Sequence, residues 1–118
     1  MGDRAQVLIE DVGVYLYTHW YGEDLPEIVR VALSKRWRWN DPEYLARIVF
    51  SEMIKDEIFE ETGYGIGTSQ HGDVSRIVTV NCGEQTVTLL DDAERGWTFE
   101  EYISEPKYWF YEDKEEEN

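Results

Sequence analysis

Apolar residues along this chain repeat first at every second position and then at every third or fourth. Residues 6–10 form one β-branched run, and residues 12–20 form another. In the second run Val12, Leu16, Thr18 and Trp20 alternate with Tyr15, Tyr17 and His19, giving one aliphatic face and one aromatic face with polar tips. Period-two alternation of this kind predicts a strand. Asp11 and Gly13 supply a tight turn between the two runs. After Gly22 the period lengthens. Leu25, Ile28, Val29, Ala32 and Leu33 make one apolar stripe, and Asp24 with Glu27 fits a capping box whose first turn holds Pro26. Trp37-Arg38-Trp39 connects to a second start signal, Asp41 then Pro42. Tyr44, Leu45, Ile48, Val49 and Met53 keep the helical spacing, Ile54 and Ile58 extend it, and Gly63 is the expected stop.

Strand patterning then returns. Residues 64–68 are short and glycine-spaced, residues 70–73 read as a loop, and residues 76–82 and 86–90 read as a hairpin turning at Gly83. Residues 91–96 read as a polar loop. Thr98 caps a last helical turn over Phe99, Tyr102 and Ile103, which Pro106 ends. The aromatic run Tyr108-Trp109-Phe110-Tyr111 is expected to pin the C-terminus to the body, since four adjacent aromatics are costly to leave in water. The order β-β-α-α-β-β-β-α predicts the α+β class: a single small domain over residues 1–111, a largely antiparallel sheet and a central helix pair on one face. Residues 112–118 are expected to be an acidic, disordered tail.

Length and charge refine this picture. A chain of 118 residues has the size of one domain and can bury a core without metal or disulfide. Cys82 is the only cysteine, the first residues hold no apolar stretch of signal-peptide length, and no run approaches the roughly 20 apolar residues that span a bilayer. A cytoplasmic protein with no membrane partner is expected. The net charge of −15 repels nucleic acid and attracts basic protein surfaces. The C-terminal carboxylates Glu112, Asp113, Glu115, Glu116 and Glu117 are either a solubilising tail or part of a partner-binding surface that imitates phosphates.

Candidate chemistry is sparse. His19 lies at a strand end beside Trp20, where a histidine serves either as an acid–base group or as a half-buried hydrogen-bonding side chain. Tyr17, Asp24 and His71 are the residues that would complete a catalytic pocket around it, with Tyr64 as a further member. A His19–His71 pair lacks the local ligand spacing of specific metal motifs, so no metal and no cofactor is expected. Gly63, Gly65 and Gly67 match no phosphate-loop fingerprint and are read as a helix stop followed by a strand that another backbone approaches closely. Arg30, Lys35, Arg36, Arg38 and Arg47 interleave with Trp37 and Trp39. That composition suits a protein interface, including a homodimer through Trp37 and Trp39, or a helix C-terminus covered by tryptophans. The overall charge stands against direct nucleic-acid binding. Cys82 is read as a small hydrophobe.

The opening Met1-Gly2-Asp3-Arg4-Ala5, the strand Val14-Tyr15-Leu16-Tyr17-Thr18-His19-Trp20-Tyr21-Gly22 and the later Tyr64-Gly65-Ile66-Gly67-Thr68 resemble a group of small uncharacterised proteins of prokaryotes and their phages. Members of that group begin Met-Gly-Asn-Arg-Ala and carry a Tyr-Leu-His-Trp-Asn-Gly-Gly-like strand end. This chain departs from the pattern with Asp3 in place of Asn, Tyr17-Thr18 inserted before His19, and Tyr21 where Asn would stand. The resemblance covers mainly the first 22 residues. It implies a prokaryotic or mobile-element origin and assigns no activity and no site residue. The expected function is a non-enzymatic acidic binding protein that engages a basic surface of a nucleic-acid-handling host defence protein, as an inhibitor or nucleic-acid mimic. The alternatives are a small enzyme around His19 and a homodimeric accessory protein.

Overall fold

The computed structural model describes residues 3–61, 63–90 and 94–104. Six strands form one sheet: β1 (Ala5–Ile9), β2 (Val14–Thr18), β3 (Tyr64–Gly67), β4 (Arg76–Asn81), β5 (Thr86–Leu90) and β6 (Glu94–Thr98). The spatial order is β3-β2-β1-β4-β5-β6. Every neighbouring pair is antiparallel except β1 and β4. Three helices, α1 (Leu25–Ser34), α2 (Pro42–Ile54) and α3 (Phe99–Ser104), complete the α+β domain.

Alternation decides which face is which. Val7 pairs with Leu16 and Val78, and Ile9 pairs with Val14 and Val80, so these side chains share one face. On that face Val7, Ile9, Leu16, Val78 and Val80 are buried and Val14 partly so, under Leu25, Val29 and Leu33 of α1, Leu45 and Val49 of α2, and Phe99 and Tyr102 of α3. Each such aliphatic side chain contributes roughly 1.5–3 kcal/mol by leaving water, enough to fix the register. The opposite face is open. Along its four central strands it carries Tyr15, Tyr17, Gln6, Leu8, Ile77, Thr79, Thr88 and Leu90, with no charged side chain.

Several local expectations need correction. Residues 94–96 are the start of β6 and not a loop, because Arg95 and Trp97 alternate inward against Leu89 and Val87. Asp24 makes no capping hydrogen bond: the chain enters α1 through a 3₁₀ turn at Gly22–Asp24, which already places Asp24 in helical backbone. Glu27 instead grips Arg30 through two hydrogen bonds of 2.6 and 2.9 Å. The reciprocal capping box occurs at α3, where Thr98 Oγ1 accepts from the Glu101 N–H and Glu101 Oε1 accepts from the Thr98 N–H. Asp41 does cap α2, accepting from the Tyr44 N–H at 3.3 Å. α2 ends at Ile54, so Ile58 lies in a loop and Gly63 is no helix stop. Pro106, the aromatic run 108–111 and the acidic tail 112–118 lie outside the described residues.

One connection shapes the open face. β3 and β4 run in the same direction, with β2 and β1 between them. After Gly67 the chain must therefore return along the sheet before β4 can start at Arg76. Residues 68–75 make this return across the open face, over Gln6.

Candidate functional site

The return segment brings distant residues together at the end of the sheet where β2 finishes. Gln6, the second residue of β1, is 1% exposed. Its Oε1 accepts the His71 backbone N–H at 3.0 Å and its Nε2 donates to the Ser69 carbonyl at 3.2 Å. One buried amide thus satisfies two backbone groups of the loop. His71 is thereby laid on the Tyr17 ring, with centroids 4.6 Å apart. The Tyr17 hydroxyl donates to His19 Nδ1 at 3.1 Å, and Arg4 Nε donates to the same nitrogen at 3.3 Å. A guanidinium only donates, so Nδ1 carries the lone pair and the proton of neutral His19 sits on Nε2. The other arm of Arg4 holds Asp73 at 3.0 Å, and Ser75 donates to the Arg4 carbonyl through both its N–H and its hydroxyl. Trp20 stands edge-on to His19. Beside Tyr17, Gln6, Ser69 and His71 lies a shallow hollow of about 210 Å³ whose far wall is Gly65 and Gly67.

Of the residues selected from the sequence, Tyr17, His19 and His71 therefore converge, while Asp24 and Tyr64 do not join them. Tyr64 pairs with Thr18 on the helix face, and Asp24 is exposed at the start of α1. Arg4, Gln6 and Asp73 complete the cluster, and no local motif marks them. The close backbone approach expected of the glycine series holds at Gly63 alone: its carbonyl accepts from the His19 N–H at 2.8 Å, and a Cβ there would lie 2.5 Å from the His19 Cβ. A Cβ at Gly65 or Gly67 would meet nothing within 4 Å.

A second concave surface lies on the helix side. Ile28 and Val31 of α1 and Met53 of α2 floor a cleft of about 400 Å³. Tyr21 and Tyr64 wall it, their rings nearly parallel at 10° and 6.1 Å apart. Glu27, Glu52, Asp56 and Glu57 ring its mouth. Lys55 also lines the cleft, held by Glu52 at 2.8 Å and favoured further by the nearby Asp56 charge, and Glu27 holds Arg30; Asp56 and Glu57 form no ion pair within 4 Å among the described residues. Burial, and then the charge of Glu57, pushes the Tyr64 hydroxyl up to about 12. The Tyr21 hydroxyl is also raised, first by Glu57, to which it donates a hydrogen bond. Beyond the cleft the same loop lifts Ile58 and Phe59 into solvent. Phe59 is 96% exposed and Ile58 60%, between Asp56-Glu57 and Glu60-Glu61.

The two tryptophans of the helix connection part company. Arg36 and Arg38 take left-handed backbone at φ 60° and 57°, which non-glycine residues adopt at a cost of roughly 1–3 kcal/mol each. The double reversal turns Trp37 outward, 57% exposed, and Trp39 inward, where it packs edge-on to Phe99 and donates to the Leu33 carbonyl. Trp39 is therefore mostly occupied by the core, and Trp37 alone presents the ring expected of an interface. Around it Arg36 is clamped by Glu100 through two hydrogen bonds, and Arg38 and Arg47 both lie over the Tyr44 ring. Cys82 is buried beside Asp11, which accepts from the Cys82 and Gly83 N–H groups, and burial pushes its thiol up to about 11. Glu112, Asp113, Glu115, Glu116 and Glu117 lie outside the described residues.

Among the described residues no three His, Cys, Asp or Glu side chains gather to hold a metal ion. Among them, too, no helix is long and apolar enough to cross a membrane. No family model, no curated protein and no solved structure matches the chain.

Proposed function

We propose that the chain is a non-enzymatic acidic binding protein that engages a basic surface on another protein. The observation that carries this reading is the loop after α2, which holds Phe59 almost wholly in water between four carboxylates. A large aromatic left in solvent gains roughly 1.5–3 kcal/mol when a partner covers it. Carboxylates on either side select partners whose apolar pocket has a cationic rim. The net charge of −15 steers such a partner from a distance. Nucleic-acid-handling proteins carry positive grooves of this kind. A phage or mobile-element protein that fills one would inhibit a host defence enzyme by occupying the place of its nucleic acid.

The test is affinity capture from a prokaryotic lysate at low ionic strength, with native chain and Phe59→Ala as parallel baits. The native chain should retain a discrete basic protein that elutes as salt rises and that nucleic acid displaces. Phe59→Ala should weaken retention about 10- to 100-fold, the range of an aromatic hot spot. Equal retention by both baits, or binding indifferent to salt, overturns the reading.

A second reading, an acid–base enzyme, draws support from one observation: Tyr17 lies between His19 and His71, beside a small hollow. Tyr17 and His19 would exchange the proton, and His71 would face the substrate. A small-molecule screen by thermal shift, repeated on Tyr17→Phe and His71→Gln, tests it. A ligand whose stabilisation vanishes in both variants favours the enzyme, and no stabilisation by any compound removes it.

A further inference from the structure

The cleft walled by Tyr21 and Tyr64 combines three features that suit a single kind of guest. Its floor is apolar, its wall is aromatic, and its mouth keeps a negative excess: Lys55 there is taken by Glu52, while Asp56 and Glu57 form no ion pair among the described residues and stand beside the C-terminal carbonyls of α2. An apolar stem with a cationic head fits that sequence of surfaces.

We propose that this cleft is the receptor for an arginine side chain of the partner protein, stem on Ile28, Val31 and Met53, guanidinium across the tyrosine wall and bonded to Glu57 and Asp56. The inference rests on the binding reading above, since the loop that carries Phe59 also supplies the mouth of the cleft. Arginine is favoured over lysine because its planar head stacks on an aromatic ring while its edge bonds a carboxylate. The protein already uses this contact internally: Arg38 and Arg47 lie over the Tyr44 ring at 4.5 and 4.9 Å. Tyr21 and Tyr64 present the same ring chemistry with no cation over them among the described residues. Glu57 is the first cause that raises the Tyr21 hydroxyl and the second, after burial, that raises Tyr64, so its charge is felt at both rings of the wall. Phe59 and the cleft would then form two adjacent anchors, one apolar and one for a cation.

The experiment is a titration of the full chain, read on the Tyr21 and Tyr64 ring signals by NMR. The probes are N-acetyl-arginine N-methylamide, its neutral citrulline counterpart, its lysine counterpart and spermidine. Saturable shifts are expected with arginine, at least about fivefold weaker with lysine and absent with citrulline. The double variant Asp56→Asn/Glu57→Gln should weaken arginine binding about tenfold, roughly one carboxylate hydrogen bond's worth. Its substitutions lie in the loop after α2, and unchanged signal dispersion elsewhere confirms that it folds. Citrulline binding as well as arginine, an unaffected double variant, or spermidine saturating the site where arginine does not, each overturns the proposal. Phe59→Ala should leave this titration unchanged. Failure of partner capture with intact arginine binding would therefore count against the binding function, and the converse against the cleft.

Discussion

Replacing Gln6 by Leu tests whether one buried amide holds the return segment in place. The side chain is 1% exposed, and its two hydrogen bonds reach Ser69 and His71 across 63 and 65 residues of sequence. Each neutral hydrogen bond of this kind contributes about 0.5–1.5 kcal/mol net. Leucine has similar volume and brings its own apolar gain beside Tyr17 and Ile77, and water can reach the freed groups on the exposed Ser69 and His71. The net loss should fall at about 1–2 kcal/mol. With a urea m-value of about 2 kcal/mol per molar, the unfolding midpoint drops by roughly 0.5–1 M.

The competing explanation is that the Arg4–Asp73 ion pair does the holding. Its side chains are 40% and 58% exposed, so Asp73→Asn should cost no more than about 0.5 kcal/mol. NMR supplies the second readout. In the native chain the Tyr17 ring current shifts the His71 ring protons, and Gln6→Leu should return them towards free-histidine values while Asp73→Asn leaves them displaced. If Gln6→Leu keeps both the midpoint and the His71 shift, the amide clamp is wrong, and the loop is held by Arg4 and Ser75.

Three further outcomes follow from the geometry. Gly63→Ala forces a methyl to within 2.5 Å of the His19 Cβ and should destabilise by about 1–3 kcal/mol, seen as a lower urea midpoint; a neutral result would mean that β2 and β3 are not so closely joined. Cys82, with its thiol at about 11 instead of 9.0, has about 100-fold less thiolate at pH 8 and should react with a disulfide reagent at least that much more slowly than after unfolding. Tyr64 keeps its proton to about pH 12 when folded and loses it near 10.0 when unfolded. The unfolded state therefore binds fewer protons between these values, and stability is complete below pH 10 and falls as pH rises towards 12. The loss should be no more than about 1 kcal/mol, because Tyr64 is only half-buried and solvent screens it. Tyr64→Phe should flatten that part of the stability profile, and a profile unchanged by the substitution would refute the assignment.

The elements with dense β-branched or amphipathic patterns were legible in the sequence: β1, β2, β4, β5 and both longer helices. β6 was not, since Glu94, Arg95 and Gly96 dilute its alternation and the pairing with β5 supplies what propensity lacks. The two capping boxes carry a lesson about motifs. Asp24 and Glu27 have the right spacing but the wrong approach, because Asp3 and Arg76 bind the Gly22 turn and lead the chain into α1 already helical. Thr98 and Glu101 follow a strand, whose extended backbone leaves the cap free to form. For the candidate sites, periodicity put Tyr17 and His19 on the open face but could not find Arg4, Gln6 and Asp73. Their contacts depend on which way residues 68–75 return, and that is a property of strand order. Trp37 and Trp39 looked equivalent two residues apart. The left-handed arginines on either side of Trp37 separate them, and no residue type advertises that backbone in advance.

The placement of charge on α2 bears on what the acidic loop is for. Helices gain when carboxylates sit near the N-terminus and cations near the C-terminus, by roughly 0.3–1 kcal/mol each. Here Arg38, ahead of the helix, and Arg47 lie over Tyr44 near its N-terminal end, while Glu52, Asp56 and Glu57 gather with Lys55 at the far end, about 20 Å away for a helix of this length. None of the three helices carries a basic residue in its last turn. Glu43 in the first turn and Lys55 at the C-cap follow the favourable rule, but at the end that borders the cleft and the Phe59 loop Glu52, Asp56 and Glu57 outnumber Lys55. An excess of carboxylates at a helix C-terminus opposes its dipole, and a large aromatic left in water lowers solubility, so neither feature serves the fold itself. Their coincidence at the end of α2 suits the cationic partner proposed above: the field would orient its approach, and the apolar tip would be covered on contact.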